Sequence, residues 1–334
     1  MKMDQKPVPG KKTVRPAAPG KAPAKKKNNS RVKAIIIGVV AVLLVFAAVM
    51  GFLVWNKYNT IQSNQQKANE LYTPAQGIED ASNDEDYVAP TEKEEVDPDT
   101  GVISDFNQLY EQNKDIIGHL SIAGTKLNTP VVQTSDNEYY LNHTFFKKNA
   151  LGVPFADYRA TIHQDEELNS RNITIYGHAS KDGSYFTALK SYRDVSYYQQ
   201  HPVINFDTIY GKGKYKIIGA FIANTDISSP ELFNYHDYID VTEGEFNLFL
   251  EEMNKRTYFT TGVDVKYGDY MISLSTCDDQ IDSSLSTPYR MVVVARRVRP
   301  GESAKVDTSA AANNPNMIMP QAWVDKYGKA NPFS

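Results

Sequence analysis

Twenty-two consecutive residues without a charge, Ala34–Trp55 (AIIIGVVAVLLVFAAVMGFLVW), constrain this chain more than any other feature. As a helix rising ~1.5 Å per residue the run is roughly 33 Å long, enough to cross a hydrocarbon core. A cleaved signal peptide has an apolar region of about 7–15 residues followed by a small-x-small site. The present run is longer and no such site follows it, so it reads as an uncleaved, single-pass membrane anchor. Arg31 and Lys33 suit the cytoplasmic side, and Trp55 and Tyr58 the far headgroup layer. The N-terminus is then expected inside the cell and everything after Trp55 outside it.

Charge is divided along the same line. Residues 1–33 hold eleven Lys/Arg against one acid, Asp4, a net of +10, while the whole chain is at −4, so the remainder sums to −14. The basic stretch is rich in Pro, Ala, Gly and Lys without hydrophobic periodicity and is expected to be disordered. A nucleic-acid role needs a basic folded surface, which this distribution does not supply. Residues 56–102 are expected to form an extracellular stalk and linker. Asn56–Leu71 would extend the anchor helix, and the acids from Glu79 to Asp99 would keep the rest solvated and extended.

The expected folded domain covers 103–300. It opens with a short helix, Asp105–Asp115, and continues as short apolar runs broken by turn residues. The runs are Gly118–Ile122, Thr129–Gln133, Val153–Asp157, Asn172–Tyr176, Val203–Asp207, Lys214–Asn224, Tyr270–Thr276 and Arg290–Val298. Eight such strands predict a mainly β protein closed into a barrel. Helices are predicted to interrupt it at Tyr185–Tyr192 and Glu243–Lys255; the second carries Phe246, Phe249, Leu250 and Met253 at helical spacing. A C-terminal extension, 301–334, is either loose or packed on the barrel.

The chain has one cysteine, which excludes an internal disulfide and any Cys-cluster metal site. Cys277 ends the apolar run MISLST and enters a polar loop, a common position for a functional side chain. Alone, it reads rather as a small buried hydrophobe, as most free cysteines are. Thiol catalysis also needs a proton shuttle and a group that stabilises developing negative charge. Of six histidines, His178 stands out, because it follows the strand-like NITIY and a glycine and opens a polar loop. Arg290 begins the last apolar run, thirteen residues after Cys277. If those two runs are neighbouring strands, the guanidinium and the thiol reach the same barrel end. Otherwise Arg290 merely keeps a strand edge soluble.

Three segments, LSTC (Leu274–Cys277), IYGHASKDGSYF (Ile175–Phe186) and RMVVVARR (Arg290–Arg297), resemble the signature segments of sortases. The upstream DIIGHLSIAGTKLNTPVVQTSDNEYYLNHTF (Asp115–Phe145) is similar to the class B branch, as is the inserted helix before the cysteine strand. The resemblance covers about 103–298. It implies an eight-stranded sortase-type β-barrel with an N-terminal helix, and a membrane-anchored cysteine transpeptidase of the Gram-positive cell surface. By motif position it implies Cys277 as nucleophile, His178 as general acid/base and Arg290 as the oxyanion or substrate-orienting group. It also implies a sorting-peptide groove lined by Asn137, Leu141, Ser275 and, in a variable loop, Thr225.

The partners so implied are exported proteins bearing a C-terminal sorting motif and an amine acceptor, on peptidoglycan or on a pilin. Two further readings stand beside it. A hydrolytic wall peptidase usually places Cys before His, the reverse of the order here, and a tethered binding barrel would need no thiol chemistry. No cofactor and no metal site are expected. Two departures accompany the resemblance: the long C-terminal extension, and Asp278-Asp279, whose charges beside the thiol would oppose its ionisation.

Overall fold

The structure is a computed structural model that describes residues 20, 30–73, 87–180, 183–284 and 286–329. Most of the expected basic tail lies outside the described residues. A first helix, α1, spans Ser30–Glu70, and the chain divides between Trp55 and Asn56 into two compact units. In the first unit the apolar side chains of α1 are exposed along a stretch long enough to cross a membrane.

The second unit contains α2 (Asn107–Gln112), β1 (Ile116–Ser121), β2 (Asn128–Val132), β3 (Phe155–Ala156) and β4 (Asn172–Tyr176). There follow α3 (Val195–Gln200), β5 (Val203–Thr208), β6 (Lys214–Asn224), α4 (Glu243–Arg256) and β7 (Phe259–Thr260). The last elements are β8 (Met271–Cys277), β9 (Tyr289–Arg297), β10 (Ala312–Asn313) and α5 (Gln321–Tyr327). The eight expected runs are the eight staves of a closed barrel in the order β1-β2-β3-β4-β8-β9-β6-β5, with β5 pairing back onto β1. The pairs β2–β3 and β4–β8 are parallel, and the others antiparallel.

Continuous apolar sequence marks strands buried on both faces. From β9, Met291, Val293 and Ala295 point into the barrel, while Val292 and Val294 pack outward against Phe246, Phe249 and Met253 of α4. In β6 a register shift between Ile217 and Gly219 resets the alternation. A Cβ on Gly219 would stand 2.9 Å from the Thr257 hydroxyl, so the bulge needs glycine there. The inserted helix starts on a capping box, Thr242 with Glu245.

Several expectations are corrected. The helix expected over Asp105–Asp115 is a 3-10 turn, Ser104–Phe106, followed by the short α2. Asn113 ends it, because its buried amide turns to the Tyr140 hydroxyl and the Phe145 carbonyl. The strand expected at Val153–Asp157 shrinks to two residues: Pro154 has no N–H to give, and Asp157 folds back on Arg159. The segment Tyr185–Tyr192 is a 3-10 helix displaced by one residue, Phe186–Arg193.

Nor are the described parts of 56–102 a free stalk and linker. The Asn69 and Gln65 amides donate to the Asn128 carbonyl at 2.8 and 3.2 Å, and Tyr72 stacks on His119 at 4.1 Å. Ala89 packs with Val298 and Ala304, and Glu94 accepts from the Lys212 N–H at 3.0 Å. The extension after Pro300 is also packed. β10 pairs with β7, and Met317, Met319 and Trp323 join the barrel's main core cluster.

Candidate active site

Parallel pairing of β4 with β8 sets Tyr176 beside Ser275, and the Gly177 N–H donates to the Ser275 carbonyl at 3.0 Å. Two residues beyond Tyr176, His178 opens the loop that leaves β4 and lines the same groove as Cys277. Antiparallel pairing of β8 with β9 puts Arg290 directly opposite Cys277. A thiol, an imidazole and a guanidinium therefore leave three adjacent strands at one end of the barrel. All three line one open groove of about 190 Å³. Cys277 is half-buried rather than sealed inside. Gly177 matters to the arrangement, since a Cβ there would meet the Phe186 ring at 2.8 Å.

The imidazole is oriented by backbone. Its Nε2 lies 2.8 Å from the Leu141 carbonyl. A carbonyl only accepts, so Nε2 carries the hydrogen, and in the neutral ring Nδ1 is the nitrogen that can take a proton. The Arg290 guanidinium is pinned through Nη1 to the carbonyls of Thr287 and, at 3.0 Å, Tyr289. Its remaining N–H groups can then meet an anionic or carbonyl oxygen in the groove.

The aspartates after the cysteine do not act as sequence adjacency implies. Asp278 is fully buried and paired with Arg193, and its Oδ1 accepts the Gln280 and Ile281 N–H groups at 2.9 and 3.4 Å. Asp279 pairs with Lys190 at 2.6 Å, which holds its carboxyl below the usual range. Both negative charges are thus offset by cations of the 3-10 segment Phe186–Arg193. The thiol faces a much weaker opposing field than the sequence implied.

Asn137, Leu141 and Ser275 line the same groove as Cys277, His178 and Arg290. The Asn137 amide is held from behind, accepting the Tyr158 N–H at 3.0 Å and donating to Asp157 at 3.2 Å. Ser275 is buried and shares a 2.6 Å hydrogen bond with the Tyr235 hydroxyl. Thr225 is not among the lining residues; its N–H and hydroxyl both donate to the Pro288 carbonyl, two residues before Arg290.

Sequence reasoning passed over two residues that shape the site. Asp157 is fully buried and receives Arg159, the Tyr176 hydroxyl (2.9 Å) and Asn137, so one carboxylate ties together two groove-lining segments. Burial works to raise its pKa, but the bonds from Arg159 and Tyr176 win and hold it below the usual carboxylate range. Tyr235 is the other. Burial raises its hydroxyl to about 12, with Ser275, Arg290 and Cys277 acting on it. No local pattern marks either residue. Among the described residues no group of three or more His, Cys, Asp or Glu is placed to hold a metal ion.

Comparison with known proteins points the same way. The model of the sortase domain family matches residues 120–298. The chain is 29% identical over 272 residues to sortase B of Staphylococcus aureus, covering 80% of this chain and 99% of that one. Among solved structures, sortase B from Bacillus anthracis superposes with a TM-score of 0.56 at 25% identity, covering 73% of this chain and 99% of the other. A Staphylococcus aureus sortase B–substrate complex superposes with a TM-score of 0.50 at 32% identity, covering 59% and 86%.

Proposed function

The chain belongs to the sortase family as a transpeptidase of the sortase B type, and from that premise we propose that it cuts a C-terminal sorting motif of exported proteins and joins the new acyl end to a peptidoglycan cross-bridge amine. The observation that carries the reading is the shared strand-end position of Cys277, His178 and Arg290 along one groove.

Cys277 gives its proton to His178 Nδ1, and the thiolate sulfur attacks the scissile carbonyl carbon. Free N–H groups of Arg290 face the oxygen as negative charge develops there. The C–N bond then breaks as His178 returns the proton to the leaving amine, and a thioester remains on Cys277. An incoming amine attacks that thioester, His178 accepts the amine's proton, and the sulfur leaves. Acyl energy is conserved throughout, so the exchange needs no nucleotide. An N-terminal anchor through Ala34–Trp55, with the basic tail inside and the barrel outside, would hold enzyme and membrane-borne substrate at raised effective concentration.

The test uses the full chain in detergent micelles. Incubation with a set of candidate sorting peptides, without amine, is expected to add one acyl mass to Cys277, and added cross-bridge amine to release it as product. A Cys277→Ala protein that is folded yet equally acylated would overturn the proposal. Release by a pilin lysine but not by a cross-bridge amine would overturn the acceptor.

A further inference from the structure

The residues after Pro300 lie beyond the stretch matched by the family model, and their path leads back to the site. Asn314 donates to the Asn254 and Thr257 carbonyls at the end of α4, and Met317, Met319 and Trp323 are buried in the core cluster that also holds Ile281. The extension then ends on the turn that follows Cys277. Lys326 Nζ reaches the Gln280 carbonyl and, at 3.3 Å, the Ile281 carbonyl, while the Tyr327 hydroxyl donates to Gln280 at 2.9 Å.

The Asp278–Ile281 turn is therefore held at both poles. The Asp278 carboxylate, backed by Arg193, takes its N–H groups, and Lys326 and Tyr327 take its carbonyls. The turn lies between Cys277 and Arg290, so its freedom sets how steadily the sulfur and guanidinium face each other. Gly328, at φ 69°, serves to end α5 just past Tyr327.

We propose that the C-terminal extension is an intramolecular brace for the active site, with Lys326 and Tyr327 as positioning residues for the Cys277–Arg290 connection. The kinetic half of its test rests on the acyl-transfer reading; the exchange half does not. In the full chain, Lys326→Met combined with Tyr327→Phe is expected to speed hydrogen exchange at the Gln280 and Ile281 amides by about tenfold or more, leaving β6 amides protected. The kcat for transpeptidation is expected to fall about tenfold, with KM for the sorting peptide within about twofold, because placement and not binding is disturbed.

Lys326→Arg should restore both readouts, since a guanidinium can still donate to the two carbonyls. Tyr327→Phe alone keeps the ring packed 4.3 Å from Trp323, so it tests the hydroxyl in a chain that retains its packing. Unchanged exchange at Gln280 and Ile281 overturns the brace, as does faster exchange with unchanged kcat. Equal loss of protection in β6 would show a general stabilising role and overturn it too. Failure of the unmodified chain to form a thioester would instead strike the acyl-transfer reading, while exchange still decided whether the turn is braced.

Discussion

Replacing Arg193 by methionine would strip the cation from Asp278, a carboxylate with no exposed side-chain surface. Removing one partner of a buried ion pair costs about 3–5 kcal/mol, because the other charge stays behind in a poor solvent. Here Asp278 keeps two backbone donors on Oδ1, from Gln280 and Ile281, so its carboxylate is not left without partners. The expected loss is therefore at the lower end, ~3 kcal/mol near neutral pH. Methionine preserves much of the buried stem volume, so a packing defect contributes little.

The measurement is guanidinium denaturation of the full chain in detergent, followed through the buried Trp323. Adding Asp278→Asn should recover more than half of the loss, since the amide oxygen still accepts from the turn while the stranded charge is gone. A cost under about 1 kcal/mol at neutral pH would refute the reasoning. So would a double variant as unstable as Arg193→Met alone, because the loss would then belong to packing and not to charge.

Three further outcomes follow from the same structure. Asp157 is held below its unfolded value, so it adds stability above about pH 4 that is lost as pH falls through the folded value. Asp157→Ala should thus cost about 2–4 kcal/mol at neutral pH and converge with the parent in acid, as melting curves across pH will show. His119 is buried and pushed down to about 3, so the folded form stays neutral where the unfolded form protonates. Stability should fall as pH drops from about 6.5 toward 3, and His119→Phe, which keeps a ring beside Tyr72, should flatten that slope. Arg290→Lys should slow acylation of Cys277 about 100-fold or more without shifting the melting curve, because an ammonium cannot keep the two carbonyl contacts and also serve the groove. Near-normal acylation by that variant would remove Arg290 from the proposed chemistry.

Much of the protein is legible along the chain because the physics that marks it is local. A helix able to cross a membrane needs only an unbroken apolar run, and Ala34–Trp55 is one. Strands buried on both faces need only consecutive apolar residues between turn formers, which is how RMVVVARR announces β9. The thiol, imidazole and guanidinium each stand at the edge of such a run, so their strand-end positions could be read before any fold was known. The short β7, β10, α3 and α5 escaped for the same reason in reverse: each is too brief to carry a period and is stabilised by what it packs against.

The rest is decided by closure of the barrel. Asp278 beside Cys277 looks like a hostile charge until Arg193, 85 positions away in sequence, is folded over it. Asp157 is an ordinary turn aspartate until Asn137, Tyr176 and Arg159 converge on it. The residues after Pro300 read equally as loose or as packed on the barrel until Lys326 and Tyr327 meet the turn behind the nucleophile. Charges and carbonyls find partners according to distance in space, and chain separation says nothing of that distance until the strands have paired.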